Sequence, residues 1–302
     1  MNVQRPVFAA ALGAALLACT CTAPPRIDRP PLSFEIPAKW VAGEEVPAAP
    51  ADTRPWWERF GDADTTRIVN LALAHNHDLR AAAARIEAAI AQARIAGADR
   101  WPQVAATFDA QRDRVRFVGF PFGGALTTTR YQTGLSLSWE LDLWGRLEAR
   151  ERAALEEVAA AEADLAGAWL SLSAQAAKAW FTLVENERQL QLARATAESF
   201  RDSARRVQDR AETGLGSRLD ERLALANVAA AEAEVTRWIE AHARAVRRLE
   251  VLLGSYPAGA LTGAPQLPDL GPPVPAGLPA DLVRRRPDVA AAERRVRAAD
   301  AL

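Results

Sequence analysis

The sequence of 302 residues has few cysteines and no long apolar run, and each shortage excludes a class of protein. Its only cysteines, Cys19 and Cys21, lie near the N-terminus, so no disulfide framework is expected. No apolar run is long enough for a transmembrane helix. The formal net charge is −1, and no basic patch indicates a protein that binds nucleic acid.

Histidines and catalytic groups are equally sparse, and they do not form a recognisable site. His75 and His77 are two residues apart on a predicted helix, so they lie on different faces, and His242 falls on an apolar helical seam. The segment TGLGS at 213–217 lacks the lysine and the spacing of a phosphate-binding loop. No nucleophile lies in a pattern with a base. We therefore expect no metal site, no cofactor and no enzymatic activity.

The N-terminus has the features of an export signal. MNVQR carries a positive charge, and the apolar run PVFAAALGAALLA follows and ends in Leu16-Leu17-Ala18-Cys19. This ending resembles a lipobox, so we expect residues 1–18 to be removed as a lipoprotein signal peptide. Lipid on Cys19 would then hold the chain at a membrane. The alternatives are an ordinary signal peptide with an incidental Cys19, or lipid on Cys21, whose preceding residues fit the pattern less well.

A Pro-rich segment at 19–61 is predicted to be an extended tether. We expect Trp56, Trp57 and Phe60 to form a hydrophobic plug where this tether meets the folded part of the chain. Helical periodicity then runs from Asp64 to about Arg100, where Trp101-Pro102 ends it.

An extended hairpin is predicted next, at about 103–144. Val104, Ala106 and Phe108 alternate with polar residues up to about Phe117, and a loop rich in Gly and Pro leads into YQTGLSLSWELDLWG at 131–145. Successive strand side chains point to opposite faces. The predicted apolar face consists of Tyr131, Thr133, Leu135, Leu137, Trp139, Leu141 and Leu143. The predicted polar face consists of Gln132, Gly134, Ser136, Ser138, Glu140 and Asp142.

The longest regular pattern predicts a coiled-coil helical hairpin at about 147–253. Steps of three and four residues from Leu155 to Val207 give an apolar seam that only Glu162 and Asn186 interrupt. A helix over 147–211 would be roughly 100 Å long at 1.5 Å per residue. The turn Thr213–Ser217 has two glycines for a helix C-cap and Ser217 for the next N-cap.

The end of the sequence resembles its first helix. After a Pro/Gly-rich connector at 255–286, residues 287–301 match residues 77–91 at seven of fifteen positions. The match includes Asp78 with Asp288 and Arg85 with Arg295. We therefore expect 62–254 to be one repeat and 287–302 to be the start of a second repeat, cut short.

These features together resemble a known family. A lipobox, a Pro-rich tether, a hairpin ending in LSWELDLWGR, the turn TGLGSRLD and the segment LPADLVRRRPDVAAAERRVRAA occur in that order. They are similar to outer-membrane efflux channels of the TolC and OprM type, in the lipoprotein branch.

The resemblance implies a mainly helical chain with one β-hairpin. In this family three protomers share one transmembrane β-barrel of twelve strands, and their long helical hairpins form an α-barrel across the periplasm. Each protomer contains two repeats, of which this sequence holds one and the start of the next. The resemblance implies a homotrimer that works with a periplasmic adaptor and an inner-membrane pump of the proton-driven RND type.

The resemblance also implies roles for particular residues. Gly214, Leu215, Gly216 and Ser217 correspond to the turn that contacts the adaptor. On the second strand, Tyr131, Leu135, Leu137, Trp139 and Leu141 would face outer-membrane lipid. Gln132, Ser136, Ser138 and Glu140 would face the lumen.

Two functions of different classes remain. The first is a passive outer-membrane exit duct for drugs or other small toxic compounds, which the two-faced strand favours because lipid-spanning strands occur in closed barrels. The second is a non-conducting, lipid-anchored periplasmic coiled-coil protein or an inactive fragment of a channel, which the missing repeat favours. A further arrangement is a barrel shared by six half-length chains, which we rank below the interpretation that the sequence is a truncated channel subunit.

Overall fold

The computed structural model describes residues 55–116, 125–263, 266–269 and 279–302. The predicted signal peptide, Cys19, Cys21 and most of the predicted tether lie outside these residues. In chain order the elements are a 3-10 helix Trp56–Phe60, α1 Ala63–His75, α2 His77–Ala98, β1 Gln103–Arg116, β2 Ala125–Ser138, α3 Arg146–Glu212, α4 Arg218–Leu252, α5 Pro279–Arg285 and α6 Pro287–Asp300. The predicted class, mainly helical with one β-hairpin, is confirmed for the described residues.

The described residues fall into two compact units. The first contains 87–116, 125–160 and 292–302. The second contains 55–86, 161–263, 266–269 and 279–291. Helices α2, α3 and α6 contribute residues to both units. Among the described helices, none combines the length and the apolar character needed to cross a membrane.

The single helix predicted from Asp64 to Arg100 is wrong, because the structure breaks it at Asn76. Asn76 is extended, with a ψ of 131°, and it is buried. Its Oδ1 accepts hydrogen bonds from the backbone N–H groups of Asp78 (2.9 Å) and Leu79 (3.1 Å), which caps α2. Its Nδ2 donates to the carbonyl of Leu252 at 3.0 Å. One side chain therefore starts α2 and ties it to the end of α4.

The second unit holds the main hydrophobic core, formed where α1, α3 and α4 meet. Ile68, Trp180, Leu183 and Leu249 are almost fully buried in it. A second cluster joins Trp57 to Val69, Ala72, Ala176 and Ala177.

The predicted aromatic plug, Trp56, Trp57 and Phe60, is confirmed as a packed element. Trp57 is 1% exposed, and its ring lies 5.1 Å from that of Trp169. The Trp56 Nε1 donates to Ser173 Oγ at 3.1 Å, and the Phe60 ring packs edge-on against Phe181. The 3-10 helix is thereby fixed to α3.

The seam predicted for α3 is more buried in its second half than in its first. The buried seam residues are Leu172, Ala176, Leu183, Leu190, Ala197 and Ala204, whereas Leu155, Glu162, Trp169 and, in the second half, Phe200 are exposed. Neighbouring residues that the seam did not include, among them Trp180 and Val184, are also buried, since α3 packs against two helices at this level.

The segment after α4 is held down by two carboxylates. Buried Glu250 accepts hydrogen bonds from the N–H groups of Gly259 (2.7 Å), Ala260 (2.7 Å) and Leu261 (3.3 Å). Glu187 accepts one from Gly263 at 3.1 Å. The Pro/Gly-rich connector is therefore docked on the helices in its first nine residues, 255–263, rather than extended away from them.

Glu250 also shows how its surroundings tune a carboxyl group. Burial by itself raises the pKa of Glu250, but the three backbone N–H groups and the charge of Arg247 lower the pKa by more than burial raises it. The pKa therefore lies below its ordinary value of 4.5. The group is held as a carboxylate because only the ionised form accepts all three hydrogen bonds.

Helix α6 takes part in two ion pairs, one at its start and one near its middle. At its start, Arg286 donates to Asp288 from Nε (3.0 Å) and Nη2 (2.6 Å), and this pairing lowers the pKa of Asp288 to about 2. Within the first unit, Arg294 pairs with Glu156 of α3 at 3.1 Å. The short helix α5, over Pro279–Arg285, contains Arg284 and Arg285 and falls where the sequence predicted only connector.

Candidate membrane hairpin and helix-hairpin turn

The two strands form one fully paired antiparallel hairpin within the first unit. Each strand has 14 residues, and the register runs from Gln103 opposite Ser138 to Arg116 opposite Ala125. Every residue of both strands is exposed. Within the described residues, the sheet contains only these two strands. Neither face of the hairpin is therefore covered by the described part of the chain.

From Gln103 to Ala110, the register places the large apolar residues of both strands on the same face, because directly opposite residues of an antiparallel pair point to the same side. Nearer the loop the pattern changes, since Val115 lies opposite Leu126 on the other face. Val104 lies opposite Leu137, and Ala106 lies opposite Leu135. We call the side of the hairpin that carries these two pairs the Leu135 face. Its first four rows consist of Val104, Ala106, Phe108, Ala110, Tyr131, Thr133, Leu135 and Leu137. The Phe108 and Tyr131 rings stack at 6.4 Å, so the two strands also touch across this face.

The other side, the Ser136 face, is polar over the same rows. It consists of Gln103, Ala105, Thr107, Asp109, Gln132, Gly134, Ser136 and Ser138. Ser136 Oγ donates to the carbonyl of Ala105 at 3.4 Å. A hairpin with one apolar and one polar face, both exposed, has the side-chain pattern of a strand pair between lipid and water.

The strand predicted at 131–143 is wrong at both ends, because β2 begins at Ala125, within the predicted loop, and ends at Ser138. Trp139, Glu140 and Leu141 lie beyond it, and so do Asp142 and Leu143. The residue that would pair with Trp139 is Pro102, which has no N–H to donate to the ladder.

The residues after β2 instead connect the hairpin to helices. Trp139 Nε1 donates to the carbonyl of Arg100 at 3.2 Å, and Glu140 pairs with Arg146 at 2.6 Å. Asp142 accepts the N–H of Glu148 at 2.8 Å, which helps to start α3. Leu141, Leu143 and Trp144 are exposed.

The far half of the Leu135 face is cationic, which the sequence analysis did not single out. Arg112, Arg114 and Arg116 continue the face beyond Ala110 and Tyr131. Their cross-strand partners are Thr129, Thr127 and Ala125, none of which is charged. The arginines at every second position, 112, 114 and 116, are the sequence pattern from which this cationic stretch could have been predicted.

The turn between α3 and α4 is a Schellman motif, in which backbone groups close the end of a helix around a left-handed residue. Gly214 is that residue, with a φ of +77°. Its N–H donates to Ala211 at 3.2 Å, and the N–H of Leu215 donates to Arg210 at 2.8 Å. Only a residue without a Cβ adopts this φ readily. The predicted glycine C-cap at this turn is thus confirmed.

The turn presents one unusual side chain, Leu215. A Schellman motif commonly buries the residue at this position against its own helix, but Leu215 is 82% exposed. Gly216 follows, also exposed, and Ser217 accepts the N–H of Leu219 at 3.0 Å as the predicted N-cap of α4. The backbone of the turn is thus held by hydrogen bonds, while the side chain of Leu215 is exposed to solvent.

Known proteins match this sequence and fold. The family model described as outer membrane efflux protein matches residues 68–255. The chain belongs to this family. The toluene efflux pump outer membrane protein TtgF of Pseudomonas putida is 35% identical over 96% of the chain. Outer membrane protein OprJ of Pseudomonas aeruginosa is 34% identical over 99% of the chain. The chain spans 62% and 63% of these two relatives.

Solved structures give the same result for the fold. A membrane protein from Pseudomonas aeruginosa matches with a TM-score of 0.74 and 33% identity, over 93% of this chain and 63% of that one. The outer-membrane channel OprN matches with a TM-score of 0.71 and 32% identity, over 89% of this chain and 62% of that one. These relatives are outer-membrane channels and efflux components rather than enzymes.

Proposed function

We propose that the chain is a subunit of an outer-membrane channel that serves as the passive exit duct of a tripartite efflux pump. Drugs or other small toxic compounds would leave through it. Membership of the efflux family supports this proposal, and so do relatives named as outer membrane proteins of efflux pumps. The observation that carries it is the hairpin, which over its first four rows has large apolar residues on one exposed face and mainly polar residues on the other.

In this proposal the Leu135 face contacts outer-membrane lipid and the Ser136 face lines the lumen. Tyr131, Leu135 and Leu137 are lipid-facing, and Gln132, Ser136 and Ser138 are lumen-facing. Trp139, Leu141 and Glu140 lie just past the strand, so we assign them to the boundary between membrane and periplasm, where tryptophan is favoured.

The assembly we propose is a homotrimer with a shared barrel, anchored by lipid on Cys19. It would join a periplasmic adaptor through the turn Gly214–Ser217, and an RND-type inner-membrane pump through that adaptor. Palmitate labelling tests the anchor: it should disappear in Cys19→Ala and persist in Cys21→Ala. Labelling that persists in Cys19→Ala would refute this site.

Complementation tests the function. The chain is expressed in a strain that keeps a pump and adaptor but lacks its outer-membrane channels, and inhibitory concentrations of toluene and of antibiotics are measured. Restored resistance supports a conducting channel. Failure despite outer-membrane localisation contradicts conduction and favours a non-conducting interaction protein.

Two adjacent substitutions test the faces. Leu135→Arg puts a charge on the proposed lipid face, where arginine costs about 2–4 kcal/mol near the membrane centre. Ser136→Arg puts the same charge on the proposed lumen face of the same strand. We expect Leu135→Arg to reduce the carbonate-resistant membrane fraction and Ser136→Arg to leave it unchanged. Equal insertion of the two variants would show that the faces are assigned wrongly.

A further inference from the structure

We infer that Arg112, Arg114 and Arg116 form a binding site for the phosphate headgroup of an anionic outer-leaflet lipid. This inference rests on the proposed function, because it needs the Leu135 face to be the lipid side of the hairpin. The three arginines follow one another at every second position of β1, so they share that face. Their guanidinium groups can each grip a phosphate with two parallel N–H donors.

The order of residue types along the Leu135 face matches the order of layers in a membrane. Rows of Val, Leu and Ala come first, then the stacked Phe108 and Tyr131, and then the three arginines. Aromatic rings are favoured at the boundary between hydrocarbon and headgroups. The next rows therefore lie at the depth of the phosphates.

The lengths agree with this placement. A tilted strand needs about 9–11 residues to cross the hydrocarbon, whereas β1 and β2 have 14 each. If Gln103 lies at one boundary of the hydrocarbon, the other boundary is reached between Gln111 and Asp113. Arg114 and Arg116 then lie among headgroups, and Arg112 lies where its side chain can extend to them.

The Leu135 face carries charges of one sign only, those of Arg112, Arg114 and Arg116, whereas the Ser136 face carries Asp109, Asp113 and Arg130. Both acidic residues of the hairpin therefore lie on the face opposite the three arginines. None of the three arginines forms an ion pair with a residue in the described parts of the chain. Three like charges at spacings of about 7 Å repel one another, and an anionic ligand on this face removes that cost.

The partner strand supplies neutral donors beside the arginines. Thr129 lies opposite Arg112, and Thr127 lies opposite Arg114. Their hydroxyl groups point to the same face and can donate to phosphate oxygens that the guanidinium groups leave open. The acyl chains of such a lipid would lie along the Leu135 rows, so headgroup and tail are bound by one continuous face.

The test compares two lipids that share acyl chains and differ in headgroup. The chain is purified in a neutral detergent, and binding of dioleoyl phosphatidic acid and of dioleoyl phosphatidylcholine is titrated by native mass spectrometry. The test variant carries Arg112→Gln, Arg114→Gln and Arg116→Gln. The matched control carries Arg205→Gln, Arg237→Gln and Arg244→Gln, three exposed arginines on α3 and α4.

We expect the parent chain and the control to bind phosphatidic acid at least tenfold more tightly than phosphatidylcholine. Each arginine near an anionic lipid surface contributes about fivefold. The test variant should lose this preference while still binding phosphatidylcholine, and added salt should weaken the preference of the parent.

Each contrary result has a distinct meaning. Equal preference in the test variant and the parent overturns the inference but leaves the channel proposal intact. Inorganic phosphate that displaces the lipid at low millimolar concentration shows a site for free phosphate instead and overturns the lipid assignment. Failure of the parent to bind either lipid, together with its absence from a carbonate-resistant membrane fraction, refutes both the inference and the lipid-facing hairpin.

Discussion

At the scale of single residues, stability in the second unit depends on a few buried or half-buried side chains that make hydrogen bonds to backbone groups in place of water. Glu250 and Glu187 receive the N–H groups of the connector, and Asn76 joins the start of α2 to the end of α4. Buried backbone groups need such partners, because leaving one unsatisfied costs about 1–3 kcal/mol. Substitutions at these positions should therefore act on folding rather than on transport.

Glu250→Gln should destabilise the chain by about 2 kcal/mol at neutral pH, since an amide has one acceptor oxygen and presents its NH2 group to a backbone donor. The effect should depend on pH. The folded pKa of Glu250 lies below 4.5, so its stabilisation is complete above about pH 4.5 and is lost as the pH falls through the folded value. Urea unfolding followed by circular dichroism at several pH values measures the difference.

The control for this prediction is Glu240→Gln, at an exposed position of the same helix in a surface pair with Arg244. That variant should change the free energy of unfolding by less than about 0.5 kcal/mol. A Glu250→Gln effect that stays constant down to pH 3 would show that the carboxylate charge is not the cause.

The two Schellman glycines give a matched comparison of strain and crowding. Gly214 ends α3 and Gly254 ends α4, with φ values of +77° and +71°. An added Cβ at Gly214 meets nothing within 4 Å, whereas at Gly254 it would lie 2.3 Å from the carbonyl oxygen of His75. Gly214→Ala should cost about 1–2 kcal/mol in free energy of unfolding. Gly254→Ala should cost about 1–3 kcal/mol more. Equal losses in urea unfolding would disprove the close contact.

At the scale of elements, the helical hairpin and the β-hairpin each leave apolar side chains open where a partner is expected. Leu215 is the clearest case, because its backbone is locked by the Schellman hydrogen bonds while its side chain is 82% exposed. A rigid turn that presents a leucine loses little entropy when it is bound. This supports the proposed contact with an adaptor.

Leu215→Asp should abolish efflux in the complementation strain without altering the amount of protein in the outer membrane. An exposed side chain contributes little to folding, so the free energy of unfolding should change by less than about 0.5 kcal/mol. Ser203→Asp, at an exposed position of α3, is the control and should keep full activity. Normal resistance with Leu215→Asp would remove the turn from the adaptor interface.

At the scale of the whole molecule, the proposed position of the β-hairpin in a membrane requires further strands. In the described residues, β1 and β2 pair only with each other, so the outer edge of each strand carries unpaired backbone groups. Such edges are not tolerated in hydrocarbon and must be closed by further strands. Strands from other copies of the chain are the source that we propose.

We therefore expect the chain to form an oligomer in detergent, with a protein mass three times that of one processed chain. Light scattering coupled to size-exclusion chromatography measures this mass after the detergent is subtracted. The same sample in concentrated urea is the control and should give the mass of one chain. A single-chain mass under native conditions would contradict the shared barrel.

The sequence by itself determined the elements whose signal is local. Alternating residues from 103 to about 117 and at 131–143 predicted the two faces, which the structure bears out as far as Ser138. Sustained helical periodicity predicted α3 and α4, and Gly214 with Ser217 predicted the turn between them. These predictions succeeded because side-chain period, caps and turn glycines act within a few residues.

Only the tertiary structure decided the features that depend on distant residues. Strand β2 stops at Ser138 because Pro102 lies at the next position of its partner, and the predicted helix breaks at Asn76, which caps α2 and reaches across to Leu252. The connector docks because Glu250 and Glu187 meet its N–H groups. No local pattern encodes such pairings, since each depends on two segments that come together only in the fold.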